Sequence, residues 1–292
     1  MLETLDVTYR RWNEDVGGLE PLAADAPVFV LDMPNDEYHA GPGVSSSNLK
    51  DILRSPAHYR YAPPKPASRA MDIGTAIHTA ILEPDRFEAE YMVLSCDNRT
   101  RSEYKQATKV HPPSRVLTAP EADKITGMQA AVYASDSARQ HLTAAGLREV
   151  SVFARDPETG VICRVRPDLV TSDLLMIDVK KCQDARPDEF ARSAARFGYE
   201  LSAALYCDVW YHATGQPLQA YALLAVEEEP PHGIGLYVLG DDWLERGRRL
   251  YREALQTYAR CSEADEWPAY PDEPKVLTMP RWLQYQEQPD GK

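Results

Sequence analysis

The chain has no CxxC pair, no long apolar run, no internal repeat and no excess of basic residues. Its five cysteines, Cys96, Cys163, Cys182, Cys207 and Cys261, are scattered and odd in number. That pattern argues against a disulfide framework, a zinc ribbon or an iron–sulfur cluster, and for free thiols. No stretch approaches the roughly 20 apolar residues of a membrane span, and the N-terminus lacks a basic segment followed by an apolar one. The expected location is therefore cytoplasmic, with no membrane partner. Lys and Arg number 32 against 45 Asp and Glu, a formal net charge of -13. This counts against a protein that coats nucleic acid nonspecifically, because such binding is driven by cations that displace counterions. It leaves room for an enzyme with a local basic channel and an acidic centre neutralised by metal, since charge distribution matters more than the sum.

What is present is an ordinary globular composition, 43% hydrophobic and 26% charged over 292 residues, enough to bury a substantial core. Residues 149–180 form its most informative stretch. EVSVFAR, a turn at Asp156-Pro157-Glu158-Thr159-Gly160, VICRVR and LLMIDVK predict a meander of three adjacent strands. Strand residues two apart share a face, so Asp178 and Lys180 point one way and Val179 the other. Asp168 follows Pro167 at the end of the neighbouring strand, and Glu149 opens the first. Three carboxylates and a lysine can thus converge. Mg2+ takes oxygen ligands, often one or two carboxylates with water and substrate phosphate, and a lysine beside it can orient a water for attack on phosphorus. From the short pattern alone, an exposed Asp178–Lys180 ion pair at a strand end is the simpler reading.

The flanking chain supplies further candidates. Residues 1–30, with Gly17-Gly18, Pro21 and Pro27, have no sustained period and are expected to form a loosely attached arm. Ser45-Ser46-Ser47 reads as a helix N-cap, with Leu49, Ile52 and Leu53 on the apolar face and Pro56 shortening or kinking the helix. His39 and His58 read as surface or core histidines. Residues 68–82 predict a helix with Met71, Ile73, Ile77 and Ile81 as its stripe. Gly74 lies one turn before His78 there, either as a packing glycine beside a buried histidine or as an opening to a site. Residues 98–109 concentrate Arg99, Arg101, Lys105 and Lys109, a solvated face or a grip for phosphates. Residues 121–142 read as one helix, and residues 187–213 as helix interrupted near Gly198. Strands at 218–226 and 233–240 precede a helix over 241–261, and the tail with Trp267 and Trp282 reads as a packing strap. Arg164 and Arg166 alternate with Val165, facing either a substrate channel or surface acids.

DEYHAGPGVSSSNLKDI, SPAHYRY, DIGTAIHTAILEPDRF, DPETGVICRVRPDLV, MIDVK, EWPAY and LTMPRW occur in an order that resembles the nuclease domain of RecE-type exonucleases (exonuclease VIII), within the PD-(D/E)xK superfamily. The resemblance runs from Asp36 to Trp282. It implies an α/β fold: a PD-(D/E)xK nuclease core with a central mixed sheet flanked by helices and helical N-terminal additions. The implied domain covers residues 31–285, with a flexible tail at 286–292. Carried over, it assigns His78 to a Gly-x-x-x-His helix position next to the metal, Asp168 and Asp178 to the metal-binding acids, and Lys180 to the catalytic lysine. Glu149 falls at a glutamate that precedes the hairpin and counts with the catalytic set. The family's Gln-x-x-x-Tyr is met by Tyr206, but Ser202 stands at the glutamine position; a serine is too short to reach what an amide would orient. Lys181-Cys182 stands where small hydroxyl residues are common. Arg99, Arg101, Lys105, Arg164, Arg166, Ser202 and Tyr206 are the expected DNA-contacting residues.

The resemblance further implies Mg2+-dependent hydrolysis of duplex DNA from a 5' end, with Mn2+ as a substitute, leaving 3' single strands. The implied partners are double-stranded DNA, further copies in a homo-oligomeric ring, and a RecT-like single-strand annealing protein. The alternatives that Ser202 raises are a catalytically weakened DNA-binding protein on the same fold, or an endonuclease or single-strand nuclease.

Overall fold

The computed structural model describes residues 7, 9–12, 18, 19, 22, 25–63, 66 and 68–280. Strand β1 (Tyr9–Arg11) runs parallel to β2 (Val28–Leu31). Alternation divides β2 between two faces: Phe29 packs edge-on against Trp210, while Val28 and Val30 join Trp12, Leu22 and Tyr38. Trp12 and Leu22 are buried, so the described part of the expected arm is anchored in the core. Helices α1 (Asn35–Ala40), α2 (Ser46–Arg54) and α3 (Pro56–Arg60) follow. Ser45 and Asn48 close a capping box on α2. Pro56 opens α3, where its missing N–H leaves no helical bond unmade.

Helices α4 (Arg69–Leu82) and α5 (Pro84–Glu90) lead through β3 (Met92–Val93), α6 (Ser102–Ala107) and β4 (Val116–Leu117) to α7 (Ala119–Ala134) and α8 (Asp136–Leu142). Two expectations change here. Met71 is exposed, and the buried stripe of α4 is Ala76, Ile77, Ala80 and Ile81. The single helix expected over 121–142 breaks at Ser135, which is extended and whose Oγ accepts from Ala138 N to cap α8.

Next come β5 (Gly146–Arg148), β6 (Ser151–Arg155), β7 (Ile162–Val165), β8 (Leu169–Thr171) and β9 (Leu175–Cys182). After them run α9 (Pro187–Phe197), α10 (Tyr199–Thr214), β10 (Ala220–Glu227), β11 (Ile234–Val238) and α11 (Asp241–Ala264). The expected meander is not one sheet. The β6–β7 hairpin belongs to a four-stranded sheet ordered β1-β2-β6-β7, whereas β9 lies in a five-stranded sheet ordered β11-β10-β9-β8-β5. The hairpin ladder stops at Val165, and Pro167, which has no N–H to donate, stands in the gap before β8. β9 and β10 pair in parallel and the other pairs of that sheet are antiparallel, so the sheet is mixed.

β9 and β10 are buried on both faces. Met176, Leu223 and Ala225 cluster with Leu201 and Leu205 of α10 and Tyr251 and Leu255 of α11. Ile177, Val179, Leu224 and Val226 cluster with Ile77 and Ile81 of α4 and Ile125 and Met128 of α7. Gly198, left-handed at φ 63, separates α9 from α10 where an interruption is expected. Part of the strap also packs: Trp267 lies against Tyr59 and Tyr258, and Ala57 N donates to Pro268 O at 3.1 Å. Val276 and Leu277 are exposed. Trp282, the boundary at 285 and the tail over 286–292 lie outside the described residues. Among the described residues no helix is long and apolar enough to cross a membrane.

Candidate functional site

The β6–β7 hairpin is an excursion from one sheet into the other, and a carboxylate stands at each crossing. Glu149, between β5 and β6, has φ 49. Left-handed backbone costs a non-glycine residue on the order of 1–2 kcal/mol, and such strain is kept where surrounding contacts enforce it. Glu149 N donates to Asp168 O at 3.2 Å, tying the outgoing crossing to the returning one. Helix α4 then delivers His78, whose Nδ1 lies 3.4 Å from Asp168 Oδ2 and 4.0 Å from Glu149 Oε1. One donor atom from each of His78, Glu149 and Asp168 falls within 4.8 Å of the others.

β9 supplies the rest. Val179 N donates to Asp168 Oδ2 at 2.6 Å, so Asp168 caps the strand where β8 no longer pairs with it. Val179 itself is buried against α4 and α7, and Asp178 and Lys180 face the opposite way, as alternation requires. Lys180 Nζ donates to Asp178 Oδ1, and Tyr221 OH donates to Asp178 Oδ2 at 3.0 Å. Each oxygen of Asp178 thus accepts one hydrogen bond, and among the described residues the donors that close around one point are His78, Glu149 and Asp168. The Asp178–Lys180 pair is largely buried, with side chains 12% and 23% exposed, so the reading as an exposed strand-end pair does not hold.

The electrostatics follow from this crowding. Burial and then the Asp168 charge push Glu149 up to about 7. Burial opposes charge on His78, but Asp168 and then Glu149 outweigh it and push the imidazole up to about 9. Asp168 is held below the usual carboxylate range, against burial, by His78, Lys180 and the Val179 N–H. Asp178 is raised by burial, with Lys180 opposing. Burial and the Tyr38 hydroxyl, then Asp178 and Asp168, keep the Tyr206 hydroxyl well above its ordinary range. Two carboxylates and an imidazole, one of them accepting a backbone N–H, are a donor set suited to a divalent cation.

His78 lines two clefts. One, of about 550 Å³, is bordered by Glu149, Arg148 and Arg166. The other, of about 770 Å³, is bordered by Gly74, Lys180, Tyr199, Arg192 and Arg196. A Cβ on Gly74 would meet nothing within 4 Å, so this glycine opens the second cleft and is not a packing glycine.

The two hairpin arginines part company. Arg166 donates to Ser151 Oγ and Met33 O, lies 4.2 Å from the Tyr38 ring centre and borders the first cleft. Arg164 faces neither a channel nor surface acids. It is buried, and its guanidinium donates to the carbonyls of His39, Gly41, Pro42 and Gly43 and to Asn48 Oδ1. Arg99, Arg101 and Lys105 are exposed and border neither cleft; Arg101 pairs with Asp97 at 2.8 Å. His58 Nδ1 lies 2.6 Å from Ser55 Oγ, away from the site. Two residues escaped sequence reasoning. Tyr221 reaches Asp178 only because β10 pairs in parallel with β9 in the register Leu223↔Asp178, and Lys50 donates to Ser202 Oγ at 2.9 Å.

Acids at the crossings of two sheets, with Pro167-Asp168 followed by Asp178-Val179-Lys180, define the PD-(D/E)xK type of α/β fold. Residues 45–278 match the PDDEXK-like domain of unknown function (DUF3799), and the chain belongs to that family. No curated protein matches the chain in sequence. Among solved structures, a candidate exonuclease from Eubacterium rectale shares the fold at a TM-score of 0.58 and 13% identity, covering 88% of this chain and 98% of its own. A phage-related exonuclease from Haemophilus somnus is more distant, at TM-score 0.35 and 14% identity over 78% of this chain and 99% of that one. An alkaline exonuclease from Laribacter hongkongensis gives 0.30 and 11% over 79% and 97%.

Proposed function

We propose that the protein is a metal-dependent deoxyribonuclease: an exonuclease that hydrolyses phosphodiester bonds of linear double-stranded DNA from 5' ends, using Mg2+ with Mn2+ as a substitute. The observation that carries the reading is the convergence of His78, Glu149, Asp168, Asp178 and Lys180 at the two crossings between sheets. His78, Glu149 and Asp168 hold the cation, with Asp178 as a further oxygen donor beside them. When bound, a divalent cation supplies charge neutralisation for the phosphate and makes a water more acidic.

The chain's own groups do the remaining work. Asp178, fixed by Tyr221, presents Lys180 at the edge of the cleft, where its ammonium can orient the attacking water and hydrogen-bond a phosphate oxygen. Arg166, positioned on the Tyr38 ring, offers a cation to a neighbouring phosphate on the Glu149 side. Tyr206 keeps its proton and packs against Tyr221 at 6.5 Å, which steadies the Asp178 support. The 3' single strands left by digestion suit annealing-type recombination, with a RecT-like annealing protein and a homo-oligomeric ring of this chain as partners in the cytoplasm.

Linear duplex labelled separately at each 5' and 3' end, incubated with Mg2+ beside its circular form, tests the proposal. Early release of the 5' label with the circle intact is the expected result. Cutting of the circle would make it an endonuclease, and absence of turnover with both Mg2+ and Mn2+ would leave only a DNA-binding protein.

A further inference from the structure

Lys50 is far from the charged cluster in sequence and beside it in space. It follows Leu49, whose side chain is fully buried, and its stem passes Gly198, where a Cβ would come within 3.3 Å of the lysine Cε. The left-handed glycine between α9 and α10 therefore leaves the opening that the stem uses. The ammonium donates to Ser202 Oγ at 2.9 Å. It lies 6.0 Å from the centre of the Tyr199 ring, the same ring that Lys180 approaches to 5.3 Å. Lys180 is matched by Asp178 and Lys181 by Glu228, but among the described residues Lys50 has no carboxylate in ion-pair contact. Burial, and then the charge of Lys180, push it down to about 8, with Asp178 and Glu200 opposing from beyond ion-pair contact. A partly buried cation whose hydrogen bond is to a neutral hydroxyl is an incomplete arrangement, because buried charges are ordinarily paired. An anion with several acceptor oxygens completes it. Ser202 Oγ accepts from Lys50, and its own O–H is left to donate to the same anion.

We infer that Lys50 and Ser202 form a phosphate-holding pair that grips a DNA backbone phosphate next to the one cut beside Lys180. This rests on the nuclease reading above. The pair supplies two donors from two helices, a charged one from α2 and a neutral one from α10, so that the strand is fixed in register with the catalytic lysine.

The test measures binding and turnover separately. Affinity for 5'-phosphorylated linear duplex is measured without divalent cation over a salt series, and digestion is measured with Mg2+. Lys50→Met keeps the aliphatic stem beside Gly198 and removes the charge. It is expected to weaken binding about tenfold, to reduce the slope of log affinity against log salt by about one, and to raise KM with kcat changed much less. Lys50→Arg retains most of the affinity. Ser202→Ala loses less than Lys50→Met and adds nothing to it in the double variant. Unchanged affinity and salt slope in Lys50→Met of native melting temperature would overturn the inference even where the wild type digests DNA. Weakened binding by Lys50→Met in a protein that never digests DNA supports the pair while removing the nuclease reading. A wild type that neither binds nor digests duplex overturns both. Should Lys50→Met not fold, the affinity loss in Ser202→Ala decides the matter alone.

Discussion

The cations of this protein fall into two regions that behave oppositely. Around residues 97–109 they are dense in sequence and lie on the surface, where Arg101 sits on Asp97 with both side chains more than half exposed. At the sheet crossings they are sparse in sequence: Lys50, His78, Arg166 and Lys180 come from four separate segments and are held by burial and specific acceptors. Exposed pairs contribute roughly 0–1 kcal/mol, whereas removing one member of a buried set costs about 3–5 kcal/mol. Local charge density therefore marks a solvated face here, and a site is marked by charges that only the fold brings together.

The sharpest way to break this contrast is at Lys180 and Asp168. Lys180→Met and Asp168→Asn are each expected to lower the rate of linear-duplex digestion about a thousandfold or more, which is about 4 kcal/mol of transition-state stabilisation. Steady-state rates beside a circular dichroism spectrum check this. Folded variants within tenfold of wild type would move the chemistry elsewhere.

The next effect is on stability and separates two neighbours. Arg164→Met strands the carbonyls of His39, Gly41, Pro42 and Gly43 and Asn48 Oδ1 in the interior. The expected loss is about 3 kcal/mol or more, seen as a melting temperature lower by roughly 5–10 °C. Arg166→Met leaves only Ser151 Oγ and Met33 O without that donor, so its loss should be smaller, with duplex affinity reduced instead.

Such pairs show what the sequence can and cannot disclose. Long amphipathic helices and two-residue alternation are local properties, so α4, the break at Gly198, β10, β11 and the Asp178/Lys180 face are legible. The split of the expected meander between two sheets is not, because it depends on which strands β2 and β10 offer as partners. Arg164 and Arg166 share a strand pattern, and only the packing of α1 and the loop after it decides that one is a buried strut. Ser202 reads in sequence as a missing glutamine. In the fold it is the acceptor for Lys50, a residue whose helix carries no sequence signal of a site.

Proton linkage gives a smaller, graded effect that bears on the buried region alone. His78 is pushed up to about 9 from an ordinary 6.5. Between these values the folded state binds a proton that the unfolded state has released. This contribution to stability is fully present below 6.5 and is lost as pH rises through 9. Glu149, raised to about 7 from 4.5, has the same sign in its own, lower window. The melting temperature of the chelated protein should therefore fall as pH rises from 6.5 to 9, and His78→Gln should flatten that fall. A divalent cation competes with the proton on His78, so the stabilisation it confers should grow over the same interval. A pH-independent effect of cation would place it away from His78.

The smallest effect is expected in the surface region, and it completes the contrast. Arg99, Arg101 and Lys105 are exposed, and Arg101 is already neutralised by Asp97 at 2.8 Å. Replacing all three by glutamine removes three formal charges without stranding a buried group. The expected change in stability is within about 0.5 kcal/mol, and digestion should stay within about twofold. A phosphate contact at this face would instead reveal itself in the salt series, since each one lost lowers the slope by about 0.9. An unchanged slope in the triple variant beside a slope reduced in Lys50→Met would assign phosphate binding to the dispersed buried cations. A slope reduced by two or more in the triple variant would return the grip on DNA to the basic run and extend the substrate path across α6.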